Sequence, residues 1–287
     1  MEDDGFTLVS HRKKASRPNH PHTSHKQPHL SPSPSGFAYR RQKQRHAITR
    51  KPEPSVSSVM GDLETKREAI KKSKFYTKLC EALLQPINTL SSGSSIRPRN
   101  VDCVCYGVGS PVRSATSQYQ LMLLLLLRDV FELEGSLHIF DPVMTELDKQ
   151  VVKLLGFTVI ERNERGLRPI KNPTVFFMPH CGHTLYSNVL RSNWTQAKLS
   201  RLMIIGNSFE AYSMIQLSSA LERKAPFLCR SLQVLEELPF PHPFLTGDVF
   251  NNTSAHVFDV GKMGVEERFW EVSLDMENED AGDPEVV

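Results

Sequence analysis

The chain has 287 residues, 39% of them hydrophobic, and a formal net charge of +3. That is enough chain for a core that folds without disulfide or metal staples. The longest apolar run, Leu121 to Leu127, falls far short of the roughly 20 residues that span a bilayer, so no membrane segment is expected.

The charge is unevenly spread. Residues 1–60 hold eleven Lys and Arg against four acids, or +7, which leaves −4 for the remainder, so any pull on nucleic acid would come from this tail. The same stretch carries six of the eleven histidines, repeated Ser-Pro and Pro-His pairs and few large apolar side chains. It cannot offset its ordering entropy by burial and reads as a disordered tail. Its acidic opening does not fit a signal peptide. Its basic stretches, His11 to Lys14 and Arg40 to Arg45, fit import signals, RNA contacts or plain solvated charge. Five scattered cysteines, an odd number, point to a reducing cytosolic or nuclear compartment.

Apolar residues at helical spacing from Leu63 to Leu84 predict one amphipathic helix, stopped by Pro86, within a lead-in segment 61–98 that ends in a Ser/Gly/Pro linker. Elements then alternate. Strands are expected at Val101–Tyr106, Leu137–Phe140, Phe157–Ile160, Thr174–Met178 and Leu202–Ile205, and helices at Thr116–Glu132, Thr145–Leu155, His183–Trp194 and Phe209–Arg223. Helix Thr116–Glu132 contains the Leu121–Leu127 run, apolar all round, and so is expected to be buried against the sheet. Repeated βα units with short apolar strands predict a Rossmann-like, three-layer α/β/α domain with a mainly parallel sheet over residues 99–245. A C-terminal extension, 246–274, holds a possible edge strand at Ala255–Val260, and an acidic tail, 275–287, follows.

Chemistry in such folds collects at the carboxyl ends of the strands. The first strand runs into Gly107, Gly109 and Ser110, where missing side chains let backbone amides approach a ligand. A dinucleotide fingerprint wants a third glycine where Val112 stands, and Asp141, the candidate ribose acceptor, lies 32 residues past Gly109 rather than ~20. A tight turn and a helix cap explain the same residues equally well. His180 and Cys181 close another strand, but no paired ligand motif completes a zinc site and no oriented third group makes them a catalytic dyad. Asn207 and Ser208 follow the next strand as a helix cap or polar pocket wall; Glu210 stands where a nucleophile elbow needs glycine.

Five blocks in order, Cys105-Tyr-Gly-Val-Gly-Ser110, Ser117-Gln-Tyr-Gln-Leu121, Phe140-Asp-Pro-Val143, Phe176-Phe-Met-Pro-His-Cys181 and Ile205-Gly-Asn-Ser-Phe209, resemble the "sensitivity to red light reduced" domain family. The resemblance covers about residues 100–215. It implies a cytoplasmic, sometimes nuclear, regulatory protein tied to light input and the circadian clock in plants, and to clock-gene expression and heme biosynthesis in animals, with protein partners and no established reaction. The His-rich N-terminus fits the animal form. None of the five cysteines precedes proline, as in the short heme-regulatory motif, which leaves His180, Cys181 or the tail as axial-ligand candidates for direct heme binding. Regulation of heme synthesis does not itself require heme contact.

Two other readings stand beside regulation through a small ligand or a partner. One is an enzyme using a nucleotide or adenosyl cofactor, methyltransferase-like, with Gly107, Gly109 and Asp141 holding the cofactor and His180 as acid or base. The other is an RNA-associated adaptor through Arg40 to Lys51, although no aromatic stacking motif accompanies those charges and no nucleic-acid partner is expected. The three strand ends at Gly107, His180 and Asn207 are expected to converge on one edge of the sheet.

Overall fold

The computed structural model describes residues 54–90, 99–215, 218–244, 247, 249–259, 261, 264 and 267–271. The readings made on the N-terminal basic tail up to residue 53, on the linker 91–98 and on the acidic tail lie outside these residues.

The described chain begins earlier in ordered structure than its composition suggests. Helix α1 spans Val56–Lys71, capped by Ser55, whose hydroxyl accepts from the Ser58 amide, and it buries Val59. The single helix expected over Leu63 to Leu84 is two. Ser73 breaks it: its hydroxyl accepts the Tyr76 amide at 3.1 Å, starting α2, Lys74–Leu90. Nor does Pro86 end α2. A proline inside a helix costs about 3 kcal/mol, but running on buries Ile87 and Leu90, each contributing roughly 1.5–3 kcal/mol. Burial wins.

The alternating elements follow: β1 Asp102–Tyr106, α3 Ala115–Val130, β2 Leu137–Phe140, α4 Glu146–Leu154, β3 Thr158–Val159, β4 Thr174–Met178, α5 His183–Ser192, α6 Gln196–Leu199 and β5 Leu202–Asn207. The helix expected after β5 is described over α7, Phe209–Ile215, and α8, Ser218–Lys224; residues 216 and 217 lie outside the described residues. Then come α9, Pro226–Ser231, β6, Leu235–Pro239, and β7, Thr253–Phe258.

The sheet order is β3-β2-β1-β4-β5-β7-β6. The strands from β3 to β5 are all parallel, while β7 runs antiparallel to both β5 and β6. The expected edge strand near residue 255 is therefore interior, and β6 takes the edge. Ala255 and His256 are fully buried between their neighbours, so the sheet continues past the boundary expected at residue 245.

Side chains alternate across the strands as the two-residue period requires. Cys103, Cys105, Val175, Phe177, Met203 and Ile205 point into one core with α1 to α4; Val104, Tyr106, Phe176, Met178 and Ile204 point into the other with α5 and the α8–α9 segment. Helices thus cover both faces, as expected of a three-layer α/β domain. The Leu121–Leu127 run is buried throughout because α3 is covered twice. Its inner face meets the sheet; its outer side meets α1 and α2, with the Tyr76 hydroxyl donating to the Leu126 carbonyl at 3.1 Å. Among the described residues no helix is long and apolar enough to cross a membrane.

Candidate functional site

The strand order reverses between β1 and β4, and such a switch opens a crevice outside the carboxyl ends of the strands. Here that crevice is a cleft of about 560 Å³, within the roughly 300–1,000 Å³ range of small-molecule sites. The ends of four strands line it: Tyr106 and Gly107 after β1, Phe140 to Val143 after β2, His180 to Gly182 after β4, and Asn207 at the end of β5. Asn163 and Gly166, from the loop after β3, complete the wall with Leu185 of α5 and Tyr212 of α7. A second hollow of about 250 Å³ shares Phe140, Asp141, Pro142 and Asn163 with it and extends over the ends of β2 and β3 to Glu161.

Of the eight residues the sequence singled out, Gly107, Asp141, His180, Cys181 and Asn207 meet in the cleft. The other three support it from outside. Gly109 does not cradle an anion: its amide donates to Asp141 Oδ2 at 2.7 Å, while Asp141 Oδ1 accepts the Val143 amide at 2.9 Å. Its φ of +78° and a would-be Cβ 2.8 Å from the Ser117 hydroxyl explain the glycine as a turn requirement. Ser110 is buried and donates to Asp148 at 2.8 Å. Ser208 proves to be a cap, its hydroxyl accepting the Ala211 amide of α7 at 3.0 Å.

Gly107 must be glycine for another reason. It sits at φ +70°, and any Cβ there would collide with Cys181 Sγ. The two loops are thereby in van der Waals register. Cys181 packs its thiol against the Tyr106 carbonyl, and burial, with the nearby Asp141 charge, pushes its pKa far above the ordinary thiol range. It stays a thiol at neutral pH, unlike an activated nucleophile.

Asn207 ties the wall together. Its Oδ1 accepts the His180 amide at 2.9 Å, and its Nδ2 donates to the Tyr212 hydroxyl at 2.8 Å and to the Cys181 carbonyl at 3.2 Å. The Tyr212 hydroxyl donates to the same carbonyl at 2.8 Å. These bonds hold His180 in a left-handed backbone, φ 56°, that a non-glycine residue adopts at a cost of about 1–2 kcal/mol. The exposed His180 ring reaches back to the Val249 carbonyl, Nε2 to oxygen 3.2 Å.

Among the contributors missed in the sequence, Asp148 and Tyr212 do most to shape the site. Asp148, with no solvent exposure, accepts from Ser110, from the Val112 amide, and from both the amide and hydroxyl of Thr145. It clamps the glycine loop to the start of α4. Burial would raise its pKa, but those hydrogen bonds outweigh it and hold the carboxyl below its ordinary value. The available signal was the Thr145-x-x-Asp148 capping box. Tyr212 carried no signal beyond lying five residues after Asn207. Among the described residues no cluster of three or more His, Cys, Asp or Glu could hold a metal ion.

A family model, the SRR1 domain, matches residues 68–257, more than half of the chain. The chain belongs to the SRR1 domain family. The SRR1 domain here is 34% identical to the mouse SRR1-like protein over 180 residues, 58% of this chain and 71% of the mouse protein. It is 35% identical to the Arabidopsis protein SENSITIVITY TO RED LIGHT REDUCED 1 over 155 residues, 52% of this chain and 55% of the plant protein. The fruit-fly SRR1-like protein aligns at 25% identity over 221 residues, 76% of each chain. The two animal relatives are thus covered over more of their length than the plant one. The matched SRR1 segment begins at residue 68, inside α1, and ends at 257, inside β7, so it includes every loop that lines the cleft.

Proposed function

We propose that the chain is a regulatory SRR1-family protein, acting in cytoplasm and nucleus on heme biosynthesis and clock-gene expression, and that it does so through a small ligand or a partner bound at the strand-end cleft. The observation that carries the cleft half of this reading is the convergence of four strand ends on one hollow, at the position where doubly wound sheets bind ligands. The clock and heme halves are supported by the family resemblance, and the name of the Arabidopsis relative adds support for a link to red light alone.

The cleft lining fits a binding role better than a catalytic one. Among its described residues, burial keeps the Cys181 thiol protonated, and the His180 ring is engaged with a backbone carbonyl, so no nucleophile is paired with a base. The lining does not fit heme either. His180 is the one histidine among the described lining residues, and its Nε2 already contacts Val249, while Cys181 turns its sulfur to the Tyr106 carbonyl. Influence on heme output would then run through regulation, without axial ligation from this cleft.

The test replaces the chain in cells by Leu185→Trp, which fills the cleft from α5, at matched abundance. Loss of normal heme content and of clock-transcript amplitude supports the reading. Normal values for both overturn it.

A further inference from the structure

The cleft's chemistry narrows the ligand, given that the strand-end hollow is a binding site as proposed above. Two features oppose a phosphate. In nucleotide-binding α/β folds the glycine loop offers its amides to phosphate oxygens, but here the Gly109 amide is given to the Asp141 carboxylate. And among the described lining residues of the main cleft none is Lys or Arg; the charged side chain is Asp141, an acid. In the main cleft an anionic ligand would meet the Asp141 carboxylate with no Lys or Arg beside it; in the adjoining hollow Lys149 is already paired with Glu146 at 2.8 Å, and Glu161 adds a further acid.

Three features favour a nucleoside. Asp141 closes β2, next to the switch point, where an acid accepts ribose hydroxyls in these folds. Each of its oxygens accepts one backbone amide, which orients the carboxylate and leaves each a further acceptor site. Finally, the two hollows meet at Phe140, Asp141, Pro142 and Asn163, so the space is elongated with the acid at its middle. One arm runs over β3, where apolar Met144, Val159 and Ile160 are joined by Lys149, Glu161 and Asn163, a wall that offers a flat base both an apolar face and polar edges; the other runs to His180, Asn207 and Tyr212 above β4 and β5. A sheet ordered β3-β2-β1-β4-β5-β7-β6 with the seventh strand reversed is also the arrangement of Rossmann-type adenosylmethionine-dependent methyltransferases, an analogy of fold only.

We propose that the cleft binds a phosphate-free adenosyl nucleoside, its ribose on Asp141, its base over β3 and its 5′ substituent toward His180 and Tyr212. The claim concerns binding, and a cationic sulfonium or neutral thioether at the 5′ position suits a cleft whose charge is acidic.

Titration calorimetry on the full chain tests it, with S-adenosylmethionine, S-adenosylhomocysteine and 5′-methylthioadenosine against ATP and NAD. At least one adenosyl probe is expected to bind below about 100 μM, with ATP and NAD at least about tenfold weaker. Asp141→Asn should weaken the adenosyl probe by about tenfold or more, as loss of a charge-assisted acceptor does. ATP or NAD binding as well as the adenosyl probes, or all three probes failing below 100 μM, overturns the proposal on the wild-type protein alone, whatever the variant's folding. An Asp141→Asn protein that melts like wild type and binds unchanged overturns the ribose assignment and the proposal with it. If the adenosyl probes fail while Leu185→Trp still alters heme and clock outputs in cells, the ligand class is wrong and the cleft reading stands; normal outputs in that variant remove the cleft reading itself.

Discussion

Asp148→Asn should be among the more damaging isosteric changes available to this fold. Asp148 Oδ1 accepts from the Ser110 hydroxyl and the Val112 amide, and Oδ2 from the amide and hydroxyl of Thr145. An asparagine must turn its NH₂ toward one of these pairs. The hydroxyls can rotate away, but a backbone N–H cannot, so one buried amide loses its acceptor at about 1–3 kcal/mol. The surviving bonds also lose their charge assistance, which brings the total to about 3 kcal/mol. For a folded region of this size that lowers the melting temperature by about 6–12 °C. Urea and thermal melts at neutral pH measure it directly. The sign with pH follows from the depressed pKa. The stabilisation is present above the ordinary carboxylate value of 3.8 and is lost as pH falls through the lower folded value, so the gap between wild type and variant should narrow only once the pH drops below 3.8. A difference under about 1 kcal/mol at neutral pH, or one that widens on acidification, would refute the clamp.

Glu237 gives a second acid-labile contribution. Burial opposes its ionisation, but His256, the Ser208 hydroxyl and the Phe209 and Glu210 amides hold its pKa near 2, so up to about 3 kcal/mol is present above the ordinary value of 4.5 and lost between there and pH 2; Glu237→Gln should be destabilised at neutral pH and show a flatter acid limb in denaturant titrations. Iodoacetamide at neutral pH should label Cys80 and Cys229, which are partly exposed, well before Cys103, Cys105 and Cys181, whose buried thiols have raised pKa values; early labelling of Cys181 in mass-spectrometric mapping would contradict its placement. His180→Gly removes the left-handed strain together with the bond to Val249, so its stability should be unchanged or higher by about 1 kcal/mol, and a loss above about 2 kcal/mol in urea melts would show that the geometry is not strained.

Much of this architecture is written locally. The strands β2 and β4 carry their own apolar patterns, and Ser114 and Thr145 announce α3 and α4 as caps, so these elements emerge from the sequence within a residue or two of where they lie. What was illegible depends on distant partners. Pro86 is tolerated because Ile87 and Leu90 find a core beyond it, and β7 is interior because β5 and β6 bury Ala255 and His256 from both sides. The site shows the same division. Gly107, Asp141, His180, Cys181 and Asn207 stand at strand ends, a position sequence can reveal. The direction of the Gly109 amide, which turns a presumed anion cradle into an anchor for Asp141, is set by a residue 32 positions away. Asn163 reaches the cleft on a loop whose path no local pattern dictates, and Tyr212 reaches it from α7, whose direction is set by how that helix packs.

Hydrogen exchange on the wild type and on Leu185→Trp, each with and without saturating S-adenosylhomocysteine, tests the central claim that the strand-end cleft is the ligand site. Slowed exchange confined to the loops around Gly107, Asp141 to Val143, Asn163 to Gly166 and His180 to Gly182 in the wild type, and absent in the variant, is the predicted result. Protection elsewhere on the domain, or equal protection in the filled variant, would contradict it.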